Sequence, residues 1–321
     1  MNLYNSILQN RNFVILKRFF LTKKILILGG SGFVGRHLTK VLAKDYHLTI
    51  IARKELDVLS SFAEIKNGDF RSERFIDECL SGIDLVIHLV SGSVPASSDG
   101  NEYLDIENNL IPSIHLLKAM KRHKVPKLIF LSSGGAVYGN QTKMPITEDF
   151  PLNPVSTYGI IKATIEHFIT MHSRQFGIDY LILRTSNLYG PNQSHSGVNG
   201  IINTMMDRLL DGNTLEIWGD GTQEKDYLYI SDLVEAIKLG IDLKISGTYN
   251  IGSNTGTSLN ELRNFIEKIS MTQINSINQE PRPYDVQRFI LDSALFQKKT
   301  GWVPKISLAE GIKKVWDHKN K

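Results

Sequence analysis

Tyr158 and Lys162 stand four residues apart in the run Ser156-Thr157-Tyr158-Gly159-Ile160-Ile161-Lys162. On a helix that spacing puts both side chains on one face and sets an ammonium beside a phenol. A free phenol ionises at about pH 10, and a neighbouring cation favours the ionised form. The pairing predicts Tyr158 as a general base near neutral pH, with Lys162 holding its pKa down. A second motif, Gly29-Gly30-Ser31-Gly32-Phe33-Val34-Gly35, lies near the start of the chain. Its glycines permit a tight turn and close backbone approach, and a helix beginning there points unpaired N–H groups at an anion. The two motifs together predict a phosphate-bearing redox dinucleotide and a base that acts beside it.

The elements that must position these residues are legible in the hydrophobic pattern. Residues 24–28 form a short apolar run of the kind found in buried parallel strands. Helical spacing of Leu38, Val41 and Leu42 follows, so the glycines sit in a strand–turn–helix context, which a dinucleotide site requires. Residues 48–51, 85–90, 127–132 and 180–184 read as further strands, and 109–123 and 157–176 as helices. This alternation predicts an α/β chain with a Rossmann-type, doubly wound parallel sheet. From residue 186 onward turns and short elements multiply, although 226–239 has a further strand–helix pattern. The expected division is a dinucleotide-binding domain at 23–185 and a smaller, mainly substrate-binding α/β region at 186–321, partly interleaved with the first.

Composition narrows the function classes. A hydrophobic content of 41% and a charged content of 22% are those of an ordinary soluble globular protein. The net charge of +4 is small for 321 residues, and no basic run interleaves with aromatics, which argues against nucleic acid as a partner. Cys79 is the only cysteine, so an internal disulfide and a cysteine metal site are both excluded, and a cytoplasmic setting fits. His88, His115 and His195 are dispersed and predict no metal. Residues 1–22 carry Arg11, Lys17 and Arg18 but no acid. Lys17-Arg18 interrupt the apolar run before it, which predicts no membrane span. A tail, an organelle-targeting peptide and a surface helix remain open for this extension, with a tail expected.

The ordered set Gly29-x-x-Gly32-x-x-Gly35, Asn109, Ser132-Ser133, Val137-Tyr138-Gly139, Tyr158-x-x-x-Lys162 and Arg184-x-x-Asn187-x-Tyr189-Gly190-Pro191 resembles the extended short-chain dehydrogenases/reductases. Ile217-Trp218-Gly219-Asp220-Gly221, Asp226-Tyr227, Asn250-Ile251-Gly252 and Gly301-Trp302-x-Pro304 extend the likeness to most of the chain. It is nearest the NAD-dependent epimerase/dehydratase branch, and UDP-glucose 4-epimerase-like proteins within it. The resemblance implies a nucleotide-sugar 4-epimerase. Tyr158 then takes the proton of the sugar 4-hydroxyl while hydride passes to bound NAD(P), and Lys162 also hydrogen-bonds the cofactor ribose. A 4-keto sugar turns over and takes the hydride on its other face. It also implies a homodimer paired through the helices at 109–123 and 157–176, and a setting in polysaccharide precursor synthesis.

Two departures from the family pattern matter. The family's usual Ser or Thr falls here at Gly134, so Ser133 is expected to supply the third catalytic hydroxyl, with a plain strand-end role as its alternative. Gly135-Ala136, where 4,6-dehydratases carry an acidic pair, cannot transfer protons. The tip of strand two is Ile51-Ala52-Arg53-Lys54, without the acid that holds NAD ribose hydroxyls. Arg53, assisted by Arg36, matches either a 2′-phosphate contact or a solvated surface cation. The cofactor expectation is therefore NAD with NADP open, held by Gly29, Gly32, Phe33, Val34, Gly35, Arg53, Lys162 and, beside the adenine, Asp69.

For the substrate, the resemblance implies Asn187 on the sugar or diphosphate, and Lys225 (in place of the usual arginine) and Arg282 on the diphosphate. Phe289 borders the sugar, where its bulk favours an unsubstituted hexose, and residues 93–96 form the facing wall. Two other functions stay open at this point. An NADPH-dependent nucleotide-sugar reductase is favoured by Arg53, and a non-catalytic nucleotide-binding module by Gly134.

Overall fold

The computed structural model describes residues 22–53, 57–93, 98, 100, 102–193, 200–282 and 285–320. The expectations for residues 1–21, for Lys54, for the wall at 94–96 and for His195 lie outside them. The first six strands are β1 (Lys24–Leu28), β2 (His47–Ala52), β3 (Glu64–Asn67), β4 (Leu85–His88), β5 (Lys127–Ser133) and β6 (Asp179–Thr185). With β10 (Gly247–Ile251) they form one seven-stranded sheet in the order β3-β2-β1-β4-β5-β6-β10, every pairing parallel. Successive residues of β1 face opposite layers. Ile25 and Ile27 pack with Leu38, Leu42, Leu233 and Ile237 of helices α1 (Phe33–Leu42) and α6 (Ile230–Asp242). Leu26 and Leu28 pack with Leu116, Met120, Ile161 and Ile165 of α3 (Ile111–Arg122) and α4 (Thr157–Phe176). Burial on both faces explains why these strands read as continuous apolar runs. The order reverses between β1 and β4, which opens a crevice beyond their C-terminal ends.

The remaining strands build a cover over that crevice. β9 (Glu224–Tyr229) lies at the centre of a small sheet, parallel to β7 (Asn187–Tyr189) and β13 (Arg288–Phe289) and antiparallel to β11 (Gly256–Ser258). A separate pair joins β8 (Leu215–Trp218) to β12 (Ser276–Gln279). β10 and α6, both beyond residue 186, return to the large sheet and its layer of helices.

One helix begins earlier than its pattern indicated. In place of a start at Asn109, a turn at Glu102–Asp105 runs into a π-helical segment, Ile106–Leu110, and then α3. The wider turn lets Asn109 leave the helix register. Its Oδ1 accepts the Gly92 N–H at 2.7 Å, which ties the helix to the loop after β4.

The glycine motif explains itself sterically. Gly29 has φ +81°, which an L side chain rarely adopts. A Cβ on Gly35 falls 2.4 Å from the Gly29 carbonyl oxygen and 2.5 Å from Gly30 Cα. Both are backbone atoms that cannot yield separately. Gly35→Ala is therefore expected to lower stability by roughly 1–3 kcal/mol, read as a lower denaturation midpoint at unchanged m-value. A midpoint equal to the parent's removes close packing as the reason for this glycine.

Candidate functional site

Ser156 starts α4 by accepting the Gly159 N–H at 3.2 Å, which places Tyr158 in the first turn and Lys162 one turn deeper. Both face a cleft of about 750 Å³ above the crevice. The same cleft is lined by Gly29, Gly32, Phe33, Val34, Gly35, Ser133, Asn187, Lys225, Arg282 and Phe289. Residues from positions 29 to 289 thus converge on one space, as the sequence reading expected them to. Arg53 and Asp69 do not line it. Arg53 is exposed at the end of β2. Asp69 is held by Arg71, whose side chain donates to it at 2.6 to 3.1 Å and pulls its carboxyl below the usual range.

The floor of the cleft is the start of α1. Gly32 caps that helix with no side-chain hydrogen bond, and its first turn contains no acid. The first-turn N–H groups therefore have no protein acceptor from the cap and carry the positive end of the helix dipole. The cradle is closed in by Gly35 against Gly29, so it admits backbone-distance contact with an anion.

The electrostatics of the dyad overturn one expectation. Burial pushes the Tyr158 phenol up, not down. Hydrogen bonds with Ser91 and Ser133 pull it back, and the Asp105 carboxylate pushes it further up. Lys162 does not touch the phenol oxygen. Its Nζ donates to the Leu131 carbonyl at 3.0 Å and lies 5.8 Å from the Tyr158 ring centroid and 4.8 Å from that of Phe130. Burial also lowers Lys162, to about 8, against the raising effect of Glu166. At neutral pH the ammonium is still mostly charged, but the phenol is mostly protonated. Spacing alone carried the helical face correctly and the desolvation not at all.

Ser133 stands beside the phenol and pulls its pKa down. The reason Gly134 does not take that place lies in what covers the position. A Cβ on Gly134 falls 2.7 Å from Leu291 Cδ1, and one on Gly135 falls 2.8 Å from the Phe289 ring. Both side chains are buried, and Leu291 is fixed by its own N–H, which donates to Asp226 at 3.2 Å.

At the far end stand the cations. Lys225 pairs in register with Phe289 across β9 and β13, with its Nζ 5.8 Å from that ring. Burial lowers Lys225 to about 8, opposed by Asp285. Arg282 stacks on Trp218 at 3.9 Å from the ring centroid. Asp226, next to Lys225, has no exposure. It accepts from Ser253 N at 2.8 Å and Ser253 Oγ at 2.7 Å, and burial raises it to about 6. Sequence reasoning missed Ser91, Asp226, Asp285 and Arg71. Only Asp226 carried a signal, as the middle of Lys225-Asp226-Tyr227. His88 is a satisfied core histidine, bonded to Ser113 Oγ at 2.9 Å and lowered to about 3 by burial.

Among the described residues no His/Cys/Asp/Glu group is arranged to hold a metal, and no helix is long and apolar enough to cross a membrane.

Comparison with known proteins gives the following. A family model described as NAD dependent epimerase/dehydratase family matches residues 25–252. UDP-glucose 4-epimerase of Mycolicibacterium smegmatis is 30% identical over 91% of this chain and 96% of its own length. The crystal structure of UDP-glucose 4-epimerase with UDP-glucose from Thermotoga maritima superposes with a TM-score of 0.87 at 32% identity, covering 92% of this chain and 98% of that one. The Thermus thermophilus UDP-glucose 4-epimerase complex with NAD gives a TM-score of 0.87 at 27% identity, over 92% and 99%.

The packing over Gly134 is directly testable. Gly134→Ser is expected to cost roughly 1–3 kcal/mol of stability, and to cost less in a Leu291→Ala background. A denaturation double-mutant cycle reads the difference. Equal cost in both backgrounds removes Leu291 as the obstacle.

Proposed function

The chain belongs to the NAD-dependent epimerase/dehydratase family, and from that premise we propose that it is a nucleotide-sugar 4-epimerase of the UDP-hexose type. One observation carries the reading: a half-buried phenol stands in a single cleft between two anion-holding ends. One end is backbone, the N-terminus of α1 over Gly29, Gly32 and Gly35. The other is side chain, Lys225 and Arg282. A dinucleotide pyrophosphate fits the first, whose glycine cradle a Cβ would fill. A nucleotide-sugar diphosphate fits the second.

Gly29, Gly32, Phe33, Val34, Gly35 and Lys162 hold the cofactor, and NAD is the form the family description names. When bound, it supplies a two-electron acceptor that takes a hydride from a carbinol carbon and returns it. The chain's own residues handle the proton. In its ionised form Tyr158 receives it from the sugar hydroxyl, becomes the neutral phenol and gives it back, so the same oxygen acts as base and then as acid. Ser133 bonds that oxygen. Lys162 adds a buried positive charge on the same helix face. Asn187, Lys225 and Arg282 hold the substrate, and Phe289, backed by Gly135, limits the space beside the sugar.

Two further readings go with this one. The exposed apolar side chains Tyr103, Leu104 and Ile111 on one helix and Ile160 and Met171 on its neighbour form a face that a second copy of the chain covers, giving a homodimer. The reaction is placed in the cytoplasm, which suits a chain with one buried cysteine.

Purified protein is expected to interconvert C4-epimeric UDP-hexoses with no net change in reduced nicotinamide. Tyr158→Phe is expected to lower kcat by about 10²–10⁴ while nucleotide-sugar binding persists. Stoichiometric NADPH consumption identifies a reductase instead, and binding without turnover identifies a nucleotide-binding module.

Lys225 sets a pH limit that an arginine does not. Its charge is present below about 8 and lost above it, so UDP affinity is expected to fall by roughly tenfold per pH unit above that value. Lys225→Arg is expected to hold affinity constant across the range. Calorimetric titration with UDP at neutral and alkaline pH reads both. An affinity that falls equally in the two proteins takes Lys225 out of the diphosphate site.

A further inference from the structure

We propose that Ser91 is a second catalytic hydroxyl of this site, hydrogen-bonding the Tyr158 phenol oxygen alongside Ser133. The inference rests on the epimerase reading for the word catalytic, but the contact itself is independent of it. Ser133 ends β5, and Ser91 lies three residues beyond β4, the strand that pairs with β5 in parallel. Both hydroxyls therefore emerge at the same C-terminal edge of the sheet. Both line the cleft, and both stand close enough to the phenol to pull its pKa down.

The loop that carries Ser91 is fixed almost residue by residue. Leu89 N donates to the Leu28 carbonyl at 2.9 Å, and Val90 N to His88 Nδ1 at 3.3 Å. Gly92 N donates to Asn109 Oδ1 at 2.7 Å, and Asn109 Nδ2 to Ser93 Oγ at 3.4 Å. The π-helical segment exists at the place where Asn109 makes this clamp. Four anchors on a five-residue loop hold Ser91 with its backbone pinned on both sides, while its side chain stays exposed to the cleft.

The hydroxyl also has somewhere to turn. Ser91 Oγ donates to the Ser93 carbonyl at 2.9 Å. With Tyr158 neutral, the phenol O–H donates to Ser91 Oγ, and Ser91 donates onward to that carbonyl. With Tyr158 ionised, Ser91 swings its O–H onto the phenolate and releases the carbonyl. Ser91 keeps its proton in both states, so the proton gained and lost in the reaction is that of Tyr158 alone. The position compensates for Gly134, where Leu291 leaves no room for a hydroxyl. The charged groups facing the phenol are Lys162 on its own helix and Asp105 from the turn at Glu102–Asp105. Neither is in a position to replace a hydrogen-bond donor.

The test compares the parent protein with Ser91→Ala, Ser91→Thr, Ser133→Ala and the double alanine variant. Tyrosinate formation is followed by ultraviolet difference absorbance against the matching Tyr158→Phe protein, which isolates this one phenol. Loss of one donor to an ionised group is expected to raise the Tyr158 midpoint by about one pH unit and to lower kcat by roughly 10-fold. The double variant is expected to lose more than either single one, and Ser91→Thr to restore both readings. A Tyr158 midpoint unchanged in Ser91→Ala overturns the proposal, whatever the turnover. A shifted midpoint in a protein that turns over no nucleotide sugar upholds the contact and overturns the epimerase reading.

Discussion

Glu166 is a buried anion that two buried cations, Arg184 and Lys162, share, and the site is built around that imbalance. Its carboxylate accepts Arg184 through Nε at 3.1 Å and through a terminal nitrogen at 2.7 Å, with both side chains almost wholly inaccessible. It also accepts Ser132 Oγ and raises Lys162 one turn earlier on α4. Arg184 continues the chain by donating to Tyr138 Oη at 2.7 Å, and Tyr138 donates to Asn250 Oδ1 at 2.9 Å. Isolated burial of a charge is costly, and removing one member of such a pair typically costs about 3–5 kcal/mol. The network is therefore strongly coupled. It joins α4, β5, β6 and β10 near the place where Tyr158 and Ser133 emerge, so the positions of both side chains are set by a constraint neither belongs to.

The two anion-holding ends of the cleft work by different physics. The α1 end uses N–H groups fixed in a helix, which have no protonation state to lose and no rotamer entropy to give up. The Lys225 and Arg282 end uses side chains that must be held in place. Arg282 is held by the face of Trp218, and Lys225 by a strand whose next residue, Asp226, ties β9 to Ser253 and Leu291. A buried carboxylate with three donors around it does there what glycine packing does at the other end. The same Asp226 bond sets Leu291, which closes the space over Gly134. The Lys225 strand and the packing over Gly134 are therefore linked through one carboxylate.

Much of this was legible in the sequence, and the failures share a cause. Local pattern carried the strand runs, the strand–turn–helix around Gly29, the span of α4 and the helical face shared by Tyr158 and Lys162. The ordered motifs carried the cleft, since residues as distant as Gly29 and Phe289 meet in it. Quantities that depend on three-dimensional surroundings were not readable. The sign of the Tyr158 shift is set by burial, which a spacing of four does not encode. Asp69 reads as an available acid until Arg71, two residues on, is seen to occupy it. Arg53 reads equally as a 2′-phosphate contact or a solvated surface cation, and it stands exposed at the end of β2, outside the cleft lining. Ser91 sits in a glycine- and serine-rich loop where nothing distinguishes it from its neighbours.

The magnitudes decide which groups make Tyr158 usable. Burial opposes ionisation, and the Lys162 ammonium, 5.8 Å from the ring centroid, points its donor at a carbonyl. A hydrogen bond to an ionised group contributes about 1.5–3 kcal/mol, which is about one to two pKa units. Ser91 and Ser133 act against the desolvation without reversing it. A lysine held back from the oxygen acts through distance and is weaker per contact. The familiar phenol–lysine pair thus describes where the charge resides, while the two serines, at the end of β5 and in the loop after β4, are the groups that pull the phenol down.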